Sequence, residues 1–267
     1  MSNEINSRIG IRNFVFFLGG NDAEMYEIRK ILKDNKLAFV DNNLKWGAKL
    51  SEYKDELSKL SEVQIPVFVE LNLDIDYPTN AIIIDHHNEK AGAGKKTSIE
   101  QVADLLNIQL NRWQQLISIN DKDYIEGMLE FGATQSEIDD VRACDRKCQG
   151  VTEEDEKLAE QSISYYCQEI SPDGAFILSM TDKTSPIFDR LYKYYRHIFI
   201  NTIGEKFSYS GTGKVVDNFV KYFQDISKSK NSIKFWYGGN LPLNGFFGSN
   251  LPITIKNIYE INKGLFK

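Results

Sequence analysis

The run Phe14-Val15-Phe16-Phe17-Leu18 is apolar throughout and closes on Gly19-Gly20, the pattern of a strand buried on both faces. Asn21-Asp22 then offers a helix cap, and Met25, Ile28, Ile31 and Leu32 give the next segment one apolar face. Residues 37–40, 67–71 and 81–84 predict three further strands, the last after a turn at Tyr77-Pro78. Strands alternating with helices predict parallel βαβ units. Beyond Asp85 the period becomes helical. Ile99, Val102, Ala103, Leu105 and Leu106 form one stripe, and Trp113, Leu116, Ile117 and Ile119 another. Residues 124–170 are charged and read as mostly helical, with Thr152 capping Glu153-Glu154-Asp155.

Ser171-Pro172-Asp173-Gly174 interrupts this pattern and marks a domain boundary. After it, strands are predicted at 175–180, 198–203 and 233–237. Helices are predicted at 186–195 and 215–226, and a glycine-rich segment follows at 238–248. The expected architecture is α/β. It has a parallel-sheet domain with flanking helices over 1–150, a helical linker over 151–174, and a smaller mixed α/β domain over 175–267. With 267 residues, 42% of them hydrophobic and 26% charged, the chain can bury a core without disulfide or metal staples. No apolar run approaches the roughly 20 residues that span a bilayer, and the first residues carry no apolar signal core. The expectation is a cytoplasmic protein that does not bind membranes.

The net charge of −6 argues against coating duplex DNA by bulk charge. It leaves room for a small phosphorylated ligand held beside metal ions. Cys144 and Cys148 stand one helical turn apart, which allows half a metal site. With Cys167 they read better as reduced thiols, because no second ligand pair stands nearby.

The string with most chemistry is Ile82-Ile83-Ile84-Asp85-His86-His87-Asn88. It places two of the chain's three histidines at the end of a core strand, where open α/β sheets bind ligands. Oxygen and imidazole donors together suit Mn²⁺ or a similar divalent ion. The plain alternative is a polar strand end with one packed histidine.

Residues 82–87 resemble the signature of the DHH phosphoesterase superfamily, which includes pyrophosphatases, exonucleases and hydrolases of short oligonucleotides and cyclic dinucleotides. In that family the first strand ends in a histidine followed by Asp-x-Asp; here the corresponding string is Gly20-Asn21-Asp22-Ala23-Glu24. A later strand supplies an acid, matched by Glu70, and a further downstream Asp is matched by Asp121. The resemblance covers residues 10–150. It departs from the pattern in lacking the first histidine and in carrying Glu24 and Glu70 in place of aspartates. It implies a metal set of Asp22, Glu24, Glu70, His86 and Asp121 holding one or two ions of Mn²⁺, Mg²⁺ or Co²⁺. His87 and Asp85 are implied as catalytic residues. The missing histidine removes a ligand from one of the family's two metal sites. Asp22 and Glu24 also read as ordinary acids at a helix start. Glu70 does not, since an acid in an apolar strand is costly unless paired or metal-bound.

Two glycine strings fail the spacing of a nucleotide-triphosphate loop, 91–98 and 208–214. The first is expected as a lid over the metal. Gly238 and Gly239 match a segment of the family that approaches substrate through backbone amides, and equally suit a hairpin turn among packed aromatics. Arg142, Arg146, Lys183 and Lys214 are the candidate phosphate contacts, each also readable as a solvated charge. The resemblance thus implies a phosphoesterase acting on a phosphorylated small molecule or a short single-stranded oligonucleotide, in a chain that could form a homodimer. A binding protein that keeps the fold without turnover is the second reading.

Overall fold

A computed structural model of the chain describes residues 10–230 and 232–266. It divides into two compact units, one comprising the chain up to His86 together with Lys96–Gln149, the other His87–Lys95 and the chain from Gly150. Each is α/β, as the hydrophobic pattern predicts.

The first unit contains β1 (Phe14–Leu18), α1 (Ala23–Asp34), β2 (Ala38–Val40), α2 (Lys54–Leu57), β3 (Ile65–Val69) and β4 (Ile82–Ile84). The helices α3 (Ser98–Leu106), α4 (Arg112–Glu130) and α5 (Gln135–Cys148) follow. The sheet order is β2-β1-β3-β4 and every pairing is parallel, with Phe16 opposite both Phe39 and Val67. Phe16, Leu18, Val67, Val69 and Ile84 face α1 and α3, meeting Met25, Ile28, Ile99 and Val102. Val15, Phe17 and Phe68 face the other way, onto Leu50 and Tyr53. Both faces are covered, so these strands read as unbroken apolar runs.

The second unit contains α6 (Glu153–Tyr166), β5 (Cys167–Ser171), β6 (Gly174–Ser179), α7 (Ser185–Leu191), β7 (His197–Thr202) and β8 (Phe207–Thr212). It continues with α8 (Gly213–Ser227), β9 (Phe235–Gly238), β10 (Asn244–Ser249) and α9 (Ile255–Ile261). The order is β5-β6-β7-β8-β10-β9, with β6 and β7 parallel and the other pairs antiparallel. Ala175, Ile177, Ile198 and Ile200 pack on Ala159 and Ile187, while Phe199, Phe207, Tyr209 and Phe247 pack under Val215, Phe219 and Phe223.

Two expectations need correction. Residues 151–174 are not a separate linker. They form α6 and β5, which pairs with β6, and Ser171–Gly174 is the tight connection between those strands. The change of unit falls after Gln149 instead. The strand β8 was hidden in the glycine-like string Phe207-Ser-Tyr-Ser-Gly-Thr, where serines alternate with the buried rings of Phe207 and Tyr209. Among the described residues no helix is long and apolar enough to cross a membrane.

Candidate metal centre

The centre lies at the carboxyl ends of the parallel strands of the first unit. Leu18, the last residue of β1, has its carbonyl held by the buried hydroxyl of Tyr53, which donates across 2.6 Å. Beyond it the backbone must pass close to its neighbours. A β-carbon at Gly19 would stand 2.5 Å from the Glu70 carbonyl oxygen, and one at Gly20 would stand 2.7 Å from Cα of Trp46. The chain then enters α1, whose cap is Asp22; its carboxylate accepts the Met25 amide at 2.7 Å.

Four side chains converge from four different elements. Glu24 projects from the first turn of α1, Glu70 follows β3, His86 follows β4, and Asp121 projects from α4. The Nε2 atom of His86 lies 2.7 Å from Asp121 Oδ2, 3.3 Å from Glu24 Oε2 and 3.4 Å from Glu70 Oε1. Glu24, His86 and Asp121 each offer a ligand atom within 4.8 Å of the others. One side chain needs strain to arrive: Glu70 has φ 53°, the left-handed region that non-glycine residues avoid. Its amide donates to Ile84 at 2.8 Å, which ties the kinked residue to the end of β4.

Hydrogen bonding does not explain the convergence. One imidazole N–H serves one acceptor well, and here three carboxylate oxygens surround one nitrogen. Glu24 Oε2 and Asp121 Oδ2 are both buried, and one N–H cannot serve the two of them together with Glu70 Oε1. The other oxygen of Glu24 is satisfied by the Ile99 amide at 3.0 Å, one of the open donors of the first turn of α3, which is itself capped by Thr97. Burial and then the charge of Asp121 push the Glu24 carboxyl up to about 8, with His86 pulling the other way. Asp22 is raised well above its ordinary range by burial and then by Glu70 and Asp121. Burial works against an imidazolium at His86, but the charges of Asp121 and Glu24 outweigh it and hold its pKa well above the ordinary value.

The donor set fits a divalent cation. Octahedral ligands at about 2.1 Å stand about 3.0 Å apart. The separations here, 2.7–3.4 Å between His86 Nε2 and the three oxygens, bracket that spacing.

A network behind these donors fixes α1 and α4. Asp145 on α5 accepts the Ala23 amide at 3.2 Å, which anchors the start of α1. Arg142 donates to Asp145 Oδ2 at 2.8 Å and to Asn120 Oδ1 at 2.9 Å, and its guanidinium lies 4.6 Å from the Tyr124 ring centroid. Tyr124 has φ 57° and ψ −144°, a break in α4 just after Asp121. Arg142, expected on the substrate, is therefore buried and engaged in the scaffold. Arg146, one turn along α5, is half-buried. Cys144 and Cys148 are free, half-buried thiols; burial and then Cys144 push Cys148 up to about 12, which keeps it protonated.

Asp85 is half-buried and its carbonyl accepts from the Gln101 side chain at 3.2 Å. His87 opens the segment grouped with the second unit, where its ring lies 6.4 Å from that of Phe246. The expected lid string starts in that same segment, and Ala93 donates to the Leu241 carbonyl at 2.7 Å. Gly238 and Gly239 sit in the β9–β10 hairpin. A β-carbon at Gly238 would meet the Phe246 ring at 2.7 Å, and one at Gly239 would meet Gly245 Cα at 2.7 Å. Lys183 is half-buried and Lys214 exposed at the start of α8. Sequence reading missed Asn120, Tyr124 and Asp145. An Arg142–Asp145 pair at helical spacing was visible, but the Asp145 bond to Ala23 spans 122 residues and leaves no local trace.

No protein-family model and no curated protein matches the chain. Solved structures do. The chain shares its fold with an exopolyphosphatase-related protein from Bacteroides fragilis. The two are 13% identical with a TM-score of 0.50, over 98% of this chain and 94% of the other. An uncharacterised Helicobacter pylori G27 protein aligns at 12% identity and TM-score 0.27, over 94% of this chain and 98% of that one.

Proposed function

We propose that the chain is a divalent-metal-dependent phosphoesterase that hydrolyses a phosphodiester or phosphoanhydride in a nucleotide or short oligonucleotide. The observation that carries this reading is the convergence of Glu24, Glu70 and Asp121 on a single nitrogen of buried His86. Three carboxylates in a buried pocket repel one another unless a cation or protons neutralise them. The likeness to an exopolyphosphatase-related protein supports the same reaction class.

A bound ion, with Mn²⁺ favoured and Mg²⁺ or Co²⁺ as substitutes, would acidify the attacking water and polarise the phosphoryl oxygens. The chain's own residues do the rest. Glu24, Glu70, Asp121 and His86 hold the ion, and Asp22 keeps α1 in place so that Glu24 reaches it. Asp85 steadies the strand end that carries His86. His87 is assigned as donor to the phosphate, and Arg146, Lys183, Lys214, Gly238 and Gly239 are the proposed substrate contacts. The acidic net charge favours short substrates over duplex polymers.

The test is a hydrolysis panel of pyrophosphate, a cyclic dinucleotide and a short single-stranded RNA, each with Mn²⁺, Mg²⁺, Co²⁺ or chelator. Metal-dependent release of phosphate or mononucleotide from at least one substrate is expected. Metal binding without turnover of any would favour the binding-protein reading. Turnover that is indifferent to chelator would overturn the metal role.

A further inference from the structure

We propose that Trp46, on the loop after β2, is a platform on which a nucleobase stacks, so that the phosphoesterase of the reading above takes a nucleotide in preference to a phosphate that lacks a base. The phosphate end of that substrate rests on the reading above, and the base end rests on the β2 loop alone.

Four parallel strands bring their carboxyl ends to one edge of the sheet. Glu70 and His86 leave β3 and β4 there, Glu24 follows β1, and the loop that carries Trp46 follows β2. That loop returns across the end of β1: a β-carbon on Gly20 would stand 2.7 Å from Trp46 Cα and 2.8 Å from Trp46 N. Gly20 in turn leads through Asp22 to Glu24. The chain leaves β1 for β2 on one side and for β3 on the other, the kind of switch point at which open α/β sheets hold their ligands. Neighbouring strands lie about 4.8 Å apart, so the end of β2 stands about one spacing from β1 and about three from β4. A nucleotide laid along this edge with its phosphate at the carboxylate and imidazole donors can reach the β2 loop with its base.

The loop is built to hold a ring still. Arg29 donates to Asp41 Oδ2 at 2.5 Å and to Asn21 Oδ1 at 3.1 Å, and Asp41 Oδ1 accepts the Asn43 amide at 2.9 Å. The Asn42 amide donates to the Tyr53 hydroxyl at 3.2 Å, the same hydroxyl that donates to the Leu18 carbonyl. Leu44 packs on the core around Val15 and Phe17, and Ala48 is buried. Trp46, between them, is 46% exposed. An aromatic side chain held on a fixed loop loses little freedom on binding, and its π-face accepts any base. Trp46 lines an open hollow of about 390 Å³ together with Asn43, Lys45 and Glu52, whose side chains supply donors and acceptors for a base edge.

The experiment is calorimetric titration of the full chain, in Mn²⁺, with adenosine 5′-monophosphate and with ribose 5-phosphate, which keeps the phosphate and sugar and lacks the base. Tryptophan fluorescence follows the same titrations. Adenosine 5′-monophosphate should bind tighter by about fivefold to a hundredfold, the range of base–aromatic stacking, and it alone should quench the fluorescence. Trp46→Ala should bring it down to the affinity of ribose 5-phosphate. Trp46→Phe should keep most of the preference and lose the quenching. Both variants should keep the Mn²⁺-induced rise in Tm, since the indole is no metal donor, and the wild-type comparison needs neither of them to fold. Equal affinities in the wild type, a preference that survives in Trp46→Ala, or no binding of either phosphate would each overturn the platform. The hydrolysis panel decides separately whether the phosphoesterase reading stands: metal-dependent turnover beside any of these three results would leave that reading intact without Trp46.

Discussion

The metal-free protein should lose stability as pH rises, and divalent metal should cancel that loss. Glu24 titrates near 4.5 in an unfolded chain and near about 8 in the folded one. Between those values the folded state holds the extra proton, so unfolding becomes easier as pH increases. His86 adds to the same trend. Its folded pKa lies above the ordinary 6.5, so the stability it contributes is complete below that value and is lost as pH climbs through the folded pKa. Each pH unit with one proton more in the folded state costs about 1.4 kcal/mol. From pH 5 to 8, Glu24 alone accounts for about 4 kcal/mol, which in a chain of this size is a fall of roughly 10 °C in Tm. A bound cation takes the protons' place, and an ion at a hundredfold excess over Kd adds about 2.7 kcal/mol. Urea melts at pH 5.5 and 8, each with chelator or with Mn²⁺, measure both effects. The Mn²⁺ gain should be larger at pH 8. Equal gains at the two pH values, or a chelated protein equally stable at both, would refute the reasoning.

Three further outcomes follow from named contacts. Arg142→Met leaves Asp145 buried without its partner and should cost about 3–5 kcal/mol in urea unfolding. Glu70→Gly relieves a left-handed residue, so the chelated protein should gain roughly 1 kcal/mol while the Mn²⁺-induced rise in Tm collapses. His86→Ala should abolish Mn²⁺ binding measured by calorimetry, whereas His87→Ala should keep it and lose about 10²–10³ in turnover that added metal does not restore.

The fold of the first unit was legible because its strands are buried on both faces, and runs such as Phe14–Leu18 announce themselves. In the second unit β8, β10 and α9 escaped notice. Ser208 and Ser210 dilute the apolar signal of β8, and Gly245 and Gly248 make β10 look like a loop although Phe247 lies at the heart of that core. At the site, the triplet at 85–87 stood out because it sets two of the chain's three histidines at the end of a core strand. Glu70 stood out because an acid in an apolar strand is costly unless paired or metal-bound. The division of labour did not. Asp22 looks like Glu24 in sequence, yet one caps a helix and the other aims at His86, a difference set by helix geometry and by the Ile99 amide of α3. Arg142 looks like any surface cation until α5 is packed against α4 and α1.

The placement of cost in this molecule is itself an argument about purpose. A carboxylate paired with an imidazolium can serve a fold, and one would have sufficed. Three oxygens around His86 exceed what its charge balances, so in the absence of a cation the surplus acids must stay protonated or repel. The strained backbone of Glu70 lies at the same spot, and that of Tyr124 lies one turn beyond Asp121. Gly19 and Gly20 give up side chains there so that the strand ends can approach closely. Elsewhere in the first unit helices start on Thr97, Asn111 and Thr134 with their capping boxes closed, and apolar faces meet apolar faces. Left-handed backbone also occurs at Lys36, Asn43 and Asn107, so strain alone does not mark a site; strain at Glu70 together with three carboxylate oxygens on one buried nitrogen is what points to a ligand. The ligand that relieves every one of these charges at once is a cation.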